Sequence, residues 1–313
     1  TEVTSLNASV GGIDVVQIGS GFNVVLGGAA SDTITASGSA ANARAIVLGD
    51  NGKLTLSNSG TLLSAESTNY SDGAADTISL TNGTNAVIGG AGSDHITAGG
   101  GKNTVIADDG KAVFFANGTL KQIESTNLGT GSNDVISLQD GTNTVIAGAG
   151  DDQVTLGGGT NFVLADEGKV AVLVDGSNVP TGTTEVTSLN ASVGGVDTVQ
   201  IGSGFNVVLG GAAADTITVN GTGAGARGVV LGDNGKLTLS NSGTLLSAES
   251  TDFASGAADQ ITLTDGTNAV IGGAGADHIS AGGGTNTVIG DDGSITFFAN
   301  GDVKQIESIN LGS

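Results

Sequence analysis

The sequence predicts an all-β solenoid, and three observations predict it. The chain repeats itself every nine residues; glycine and Asp or Asn recur at fixed places in that period; aliphatic residues recur at another. From residue 71 it reads SDGAADTIS, LTNGTNAVI, GGAGSDHIT, AGGGKNTVI, ADDGKAVFF, and from residue 129 GTGSNDVIS, LQDGTNTVI, AGAGDDQVT, LGGGTNFVL, ADEGKVAVL. Position four is usually Gly, position six Asp or Asn, and position eight Ile, Val or Leu. A period this short means stacked units, each too small to bury a face alone.

Each part of the nonapeptide has a physical reason. About six Gly-rich residues make a tight turn, where glycine supplies positive φ. About three residues make a strand whose middle aliphatic side chain points inward. Two nonapeptides close an eighteen-residue coil with two short strands. Such coils stack ~4.8 Å apart, with Ile and Val in internal ladders, and about fifteen of them would form a rod of about 70 Å. Small residues suit two closely facing sheets: the chain has 56 Gly in 313 residues and no Trp or Met. Glycine at this density excludes an amphipathic helix, at ~1 kcal/mol per Gly against Ala. The regular spacing of a 38% hydrophobic content argues against disorder.

Longer repeats enclose the short one. Residues 1–12 (TEVTSLNASVGG) recur at 184–195, and the offset of 183 holds to the last residue with 102 identities in 130 positions. Asp14, Asp76, Asp134, Asp197 and Asp259 open similar stretches, and Glu66, Glu124, Glu185, Glu249 and Glu307 close them. The chain therefore reads as one continuous solenoid domain, 1–313, of five modules in the order A-B-C-A-B. Their bounds are 1–66, 67–124, 125–185, 186–249 and 250–307, with 308–313 opening another. Modules A carry about four extra residues, near 39–42 and 222–225. Each module ends on a tail that breaks the pattern, such as 111–124 (KAVFFANGTLKQIE). The tail is either a modified third coil or a β-hairpin turned at Asn117-Gly118, a type I′ sequence. Because 107–124 is again eighteen residues, the third coil is favoured. The chain opens inside a repeat without an initiator methionine, as a segment of a longer chain would, so a secretion signal would lie outside it.

Composition excludes several classes of function. Without Cys there are no disulfides, thiolate metal sites or cysteine nucleophiles. No apolar run reaches the ~18 residues of a membrane-spanning helix. Nine Lys and Arg against 31 Asp and Glu, a net charge of −22, argue against a nucleic-acid partner.

The acids are not scattered. With two nonapeptides per coil, odd turns share one edge of the rod and even turns the other. Asp14, Asp32, Asp76, Asp94, Asp134, Asp152, Asp197, Asp215, Asp259 and Asp277 then line one edge; Asn23, Asn85, Asn103, Asn143, Asn161, Asn206, Asn268 and Asn286 line the opposite one. Asp50, Asp108, Asp166, Asp233 and Asp291, at position two of the next odd turn, add to the acidic edge. Carboxylates ~4.8 Å apart repel by about 1 kcal/mol per pair in water and several at lower effective dielectric. A hard divalent cation bound by carboxylate and carbonyl oxygen offsets that, and Ca²⁺ accepts six to eight such ligands. Several ions along one edge are expected, with amide and backbone ladders holding the other.

GGAGSDHIT (89–97) and GGAGADHIS (272–280) resemble the repeats-in-toxin nonapeptide GGxGxDxUx, and GGAASDTIT, AGAGDDQVT and GGAAADTIT are weaker copies. The resemblance spans nearly the whole chain as periodicity, with full motifs in about one nonapeptide per module. It implies a parallel β-roll, calcium-dependent folding and type I secretion to the outside of a Gram-negative bacterium. Carried over residue by residue, it makes ligands of the position-six Asp residues, both in the closer copies (Asp32, Asp94, Asp152, Asp215, Asp277) and in the looser ones (Asp14, Asp76, Asp134, Asp197, Asp259). For the Asp50-type residues the ligand role is an inference from their edge alone. Asn at every second position six departs from members loaded on both edges.

The remaining residues suggest no catalysis. His95 and His278 hold equivalent positions and are expected to face solvent. One His per three modules builds no Ser-His-Asp set. Arg44 and Arg227 are expected in surface or salt-bridging roles, and Phe114, Phe115, Phe297 and Phe298 inside the modified coil or against a neighbour. Thr84, Thr142, Thr160, Thr267 and Thr285 form a row on the amide edge, interrupted by Phe22, Lys102 and Phe205. The expected function is a calcium-binding extracellular spacer of a bacterial adhesin, matrix or filament protein, with no enzyme activity. Its expected partners are calcium and neighbouring repeats or further copies, end to end or side by side, without membrane insertion. The alternative is a module that binds ice or polysaccharide on the Thr/Asn edge.

Overall fold

Two kinds of strand alternate along the chain, and burial separates them. Thr77–Leu80 and His95–Ala98 bury their second and fourth side chains and turn the first and third outward. Gly83–Ile88 and Gly101–Ile106 bury their last four residues without alternation. A strand buried with period two covers one core; a strand buried continuously lies between two. The computed structural model describes residues 1–6, 9–37, 43–222, 225–240 and 243–309. The extra residues at 39–42 and 223–224, and 310–313 at the predicted start of a further module, lie outside the described residues.

Ten strands of the first kind form an outer parallel sheet and ten of the second a central parallel sheet, each joined in chain order. Register is in phase throughout, so Ile78, Ile96 and Ile136 stack in one sheet and Val87, Val105 and Val145 in the other. The two ladders meet in a fully buried core with Ile34, Val154 and Val163. The strands run four to six residues rather than three.

The tail of each module is a β-hairpin and not a third coil. Gly110–Phe114 pairs antiparallel with Leu120–Ser125. The Gly118 N–H donates to the Phe115 carbonyl at 2.8 Å, the Phe115 N–H to the Thr119 carbonyl at 2.9 Å, and Gly118 has φ +81°. This is a type I turn closed by a left-handed residue, not the two-residue type I′ turn that Asn117-Gly118 suggests. The hairpin prevails because the tail lacks the Gly-x-Asp turn of a coil, and because its height fits. Two hairpin strands and two coils both advance about 9.6 Å. Successive hairpins therefore meet and pair, as at Lys111–Glu66 and Gln122–Ala171, in an eleven-stranded antiparallel sheet.

That hairpin sheet covers the second face of the central sheet, where Leu54, Leu62, Ile123 and Leu237 meet Ile88, Ile106, Ile146 and Leu164. The molecule is a three-layer prism of ten coils, not fifteen, and each parallel sheet is about 43 Å from first strand to last. Phe114 and Phe297 pack on this second core, whereas Phe298 is exposed.

Candidate metal-binding edge

Every passage from the central to the outer sheet ends on a position-six Asp. The turn before Asp94 is built on Gly90 and Gly92, at φ +112° and +110°. In modules A the second of these positions holds Ala30 and Ala213 at φ +80° and +77°, at a cost of roughly 1 kcal/mol each. The Asp side chain folds back into its turn rather than out to water. One oxygen, Oδ1, accepts the backbone N–H of the equivalent Asp in the preceding coil. Asp94 N–H donates to Asp134 at 2.6 Å, Asp134 to Asp152 at 2.7 Å, and Asp152 to Asp197 at 2.7 Å. The ladder runs from Asp14 to Asp277 unbroken across every module boundary.

The second oxygen has nothing. Oδ2 of Asp32, Asp76, Asp94, Asp134, Asp152, Asp197, Asp215, Asp259 and Asp277 is buried without a hydrogen-bond partner. Asp197 is 0% exposed. Burial is the main cause that pushes these carboxyls up: Asp76 and Asp259 to about 7, Asp134, Asp152 and Asp197 to about 8, and Asp94 and Asp215 to about 10. Asp32 and Asp277 shift the same way for the same reason. Neighbouring carboxylates add to the shift at Asp94 and Asp215.

The Asp50-type residues share this edge and do a different job. Asp50 accepts the Ala74 N–H at 3.2 Å on Oδ1 and the Ala91 N–H at 2.7 Å on Oδ2. Asp108 does the same with Ser132 and Ala149, and Asp166 with Gly195 and Ala212. Asp233 holds Ala257. Each reaches into the acidic turns of the following module and so joins module to module. Their carboxyls rise to about 8, 9, 8 and 8 for Asp50, Asp108, Asp166 and Asp233, chiefly by burial. Asp14 and Asp291, in the first and last modules, are exposed.

Sequence reasoning missed the residue after each of these. Asn51, Asp109, Glu167, Asn234 and Asp292 are buried. Glu167 accepts the Gly129 N–H at 2.6 Å and Asn190 Nδ2 at 2.8 Å; Asp109 accepts Asn127 Nδ2 at 3.1 Å. They anchor the loop that leads from one hairpin into the next module. Left-handed Asn69, Asn127, Asn190 and Asp252, repeated at one place after each tail, were the available clue.

The opposite edge needs no ion wherever Asn stacks on Asn; Ala45 and Gly228 interrupt the row in modules A. Asn103 Nδ2 donates to the Gly99 carbonyl at 3.0 Å and to Asn143 Oδ1 at 2.8 Å. The same pair of bonds recurs along Asn85, Asn143 and Asn161, and at Asn268. His95 and His278 project outward from the outer sheet and are exposed, as expected. Arg44 and Arg227 lie over the rings of Phe22 and Phe205 at 5.4 and 5.9 Å.

The acidic edge suits a hard cation. A Cβ placed on Gly89 would lie 2.2 Å from Asp94 Oδ2 and 2.1 Å from the Ala107 carbonyl of the next coil; Gly272 stands likewise to Asp277 Oδ2 and the Gly290 carbonyl. The Ala107 carbonyl already accepts the Gly90 N–H at 2.9 Å, whereas Oδ2 of Asp94 has no donor, so it is the carboxylate oxygen that is left for a proton or a cation. Oxygen donors alone are the ligand set of Ca²⁺. Among the described residues no three acidic or histidine side chains converge on one point, so carbonyl oxygens must supply much of any coordination shell.

A family model, the RTX calcium-binding nonapeptide repeat, matches residues 10–40, 72–111, 128–163, 193–221 and 262–294, together more than half of the chain. The chain belongs to that family and is a calcium-binding repeat region with a β-roll architecture. No curated protein and no solved structure matches it.

Proposed function

We propose that this region is a rigid extracellular spacer, part of a bacterial surface adhesin, matrix or filament protein, locked by calcium along its acidic edge and without catalytic activity. The observation that carries the reading is the nine-rung ladder of buried carboxylates, each with one oxygen unpartnered. The ten position-six residues from Asp14 to Asp277 are the ligands in this reading, with carbonyls of adjacent turns. The Asp50-type residues contribute charge at the joints and secondarily coordinate. Without calcium, ionised acids repel and the chain stays extended and exportable; with it, binding energy becomes folding energy. Sheets that run in register through all five modules support a stiff element rather than beads on a string. Among the described residues no helix is long and apolar enough to cross a membrane.

The test is far-ultraviolet circular dichroism during a calcium titration at neutral pH. A cooperative gain of β signal on calcium, reversed by chelator, is expected. A β spectrum indifferent to excess chelator would overturn the reading.

A further inference from the structure

The cations of this acidic protein divide unevenly. Lys53, Lys111, Lys169 and Lys236 are ion-paired with Glu2, Glu66, Glu124 and Glu185 on the hairpin sheet. Arg44, Lys102 and Arg227 stand elsewhere, and strand register puts all three in one row along the central sheet. That row reads Phe22, Arg44, Thr84, Lys102, Thr142, Thr160, Phe205, Arg227, Thr267, Thr285. It includes the Thr row of the amide edge, and cations break it more often than the sequence suggested.

The row faces the hairpin sheet at the mouth of the gap between the two layers. There a groove of about 660 Å³ is lined by Lys102 and Arg227 together with Thr142, Thr160 and Thr184, with no carboxylate among the described residues of its lining. Phe162 and Phe205, packed edge to face at 6.0 Å, form part of its floor. Both cations are half-buried, and burial lowers the pKa of each. Two half-buried cations with no carboxylate among the described lining residues, in a chain of net charge −22, suit an anionic ligand.

Spacing defines the anion. Arg44 and Lys102 are two strands apart, about 10 Å, and Lys102 and Arg227 four strands, about 19 Å. We propose that this groove, together with the row that continues from it to Arg44, binds an acidic polysaccharide, laid along the rod axis, with a carboxylate on every second sugar. A disaccharide repeats about every 10 Å, so its carboxylates meet the cations in step while the Thr hydroxyls take the sugar hydroxyls between. Three cations over about 29 Å are too few to match the phosphates of a nucleic acid, whose charges lie far closer together.

Calcium-saturated protein would be titrated by calorimetry with an alternating uronate–hexosamine octasaccharide, with dextran and with a single-stranded oligonucleotide. Lys102→Thr and Arg227→Thr reproduce residues that neighbouring rungs already carry, so both variants keep the fold, checked by dichroism. Binding of the octasaccharide but not of dextran is expected, weakened about tenfold or more in the double variant, the loss of charge-assisted bonds. Wild-type protein that fails to bind the octasaccharide, a double variant that binds it as well as wild type, or an oligonucleotide that binds at least as tightly would each overturn the proposal. An intact calcium-induced dichroism transition in any of those cases leaves the spacer reading standing, so the two fail separately.

Discussion

The two edges of the roll differ by one atom per rung, except where Ala45 and Gly228 interrupt the amide row. Both present a polar side chain at position six, both are stacked in register, and both are buried: Asn143 and Asp197 are each 0% exposed. An amide has two donors as well as an acceptor. Asn143 therefore satisfies the Gln139 carbonyl, its neighbour's oxygen and itself, with nothing bound. An ionised carboxylate only accepts, so one oxygen of every buried Asp in the ladder stays without a donor. Exchange of NH₂ for O⁻ turns a self-sufficient edge into one that requires a cation. One lattice thus yields a permanent seam and a conditional one.

The largest effect expected from this contrast is on pH dependence without calcium. Nine carboxyls are held above their ordinary value of 3.8, several at 7 to 10. Burial disfavours the charged form of each, and neighbouring carboxylates add to it, so ionising them in the ion-free fold works against folding. The folded state holds more protons than the unfolded one, so stability falls as pH rises. It is fully present below pH 4, where both states are neutral, and is lost as pH climbs through 7 and beyond. Chelator-treated protein is expected to be unfolded at pH 8 and to gain β structure on acidification toward pH 4. With excess calcium the dependence reverses, because ions displace protons and bind better at higher pH. Dichroism melts from pH 4 to 8, with and without calcium, read both signs. Equal melting points across that range in chelator would break the comparison.

Second in size is a charge moved to the wrong edge. Asn143→Asp removes donors to the Gln139 carbonyl and to Asn161 Oδ1 and sets acceptors against acceptors in a fully buried rung. A loss of about 3–5 kcal/mol is expected, as for an uncompensated buried charge. Calcium should not rescue it, because the rungs on either side, Asn103 and Asn161, are uncharged amides and add no second carboxylate. Denaturant midpoints in saturating calcium measure the loss.

The converse substitution should act with opposite signs in two conditions. Asp94→Asn puts a neutral NH₂ in place of the donorless Oδ2, beside the glycine that the Ala107 carbonyl also approaches. Without calcium at neutral pH the variant should be more stable than wild type by about 1–3 kcal/mol, the penalty of an unsatisfied buried group removed. With calcium it should be less stable and bind one or two fewer ions by calorimetric stoichiometry. A fall in stability in both conditions would mean that Asp94 Oδ2 serves the fold in some way other than as a ligand.

Much of this was legible in the sequence because position six has a fixed phase. Eighteen residues per coil sort Asp32, Asp94 and Asp152 from Asn85, Asn103 and Asn143, and every rung falls where that arithmetic places it. What was not legible is set by long-range pairing. Residues 107–124 have the length of a coil, and only the partner strands 62–67 and 168–174 decide that their tail forms a hairpin. The burial of the acids was equally hidden. Asp favours exposed turns, and nothing local shows that the Asp134 side chain turns inward to meet the N–H of Asp94, forty residues earlier. For Asp50 the edge was right but its backbone partners, Ala74 and Ala91, lie in the next module.

The hairpin sheet supplies the control for both edges, since Glu2, Glu66, Glu124 and Glu185 are already paired and partly in water. Lys111 Nζ lies 2.8 Å from Glu66, and their side chains are 37% and 30% exposed. The fifth module already lacks this partner: Ser294 stands in register between Glu249 and Glu307. Lys111→Ser should therefore cost about 0.5 kcal/mol or less, as exposed ion pairs do, and the loss should vanish in high salt. Melting in calcium at low and high ionic strength measures it. A loss several times larger would mean that the Lys–Glu row, and not the acidic edge alone, fixes one module to the next.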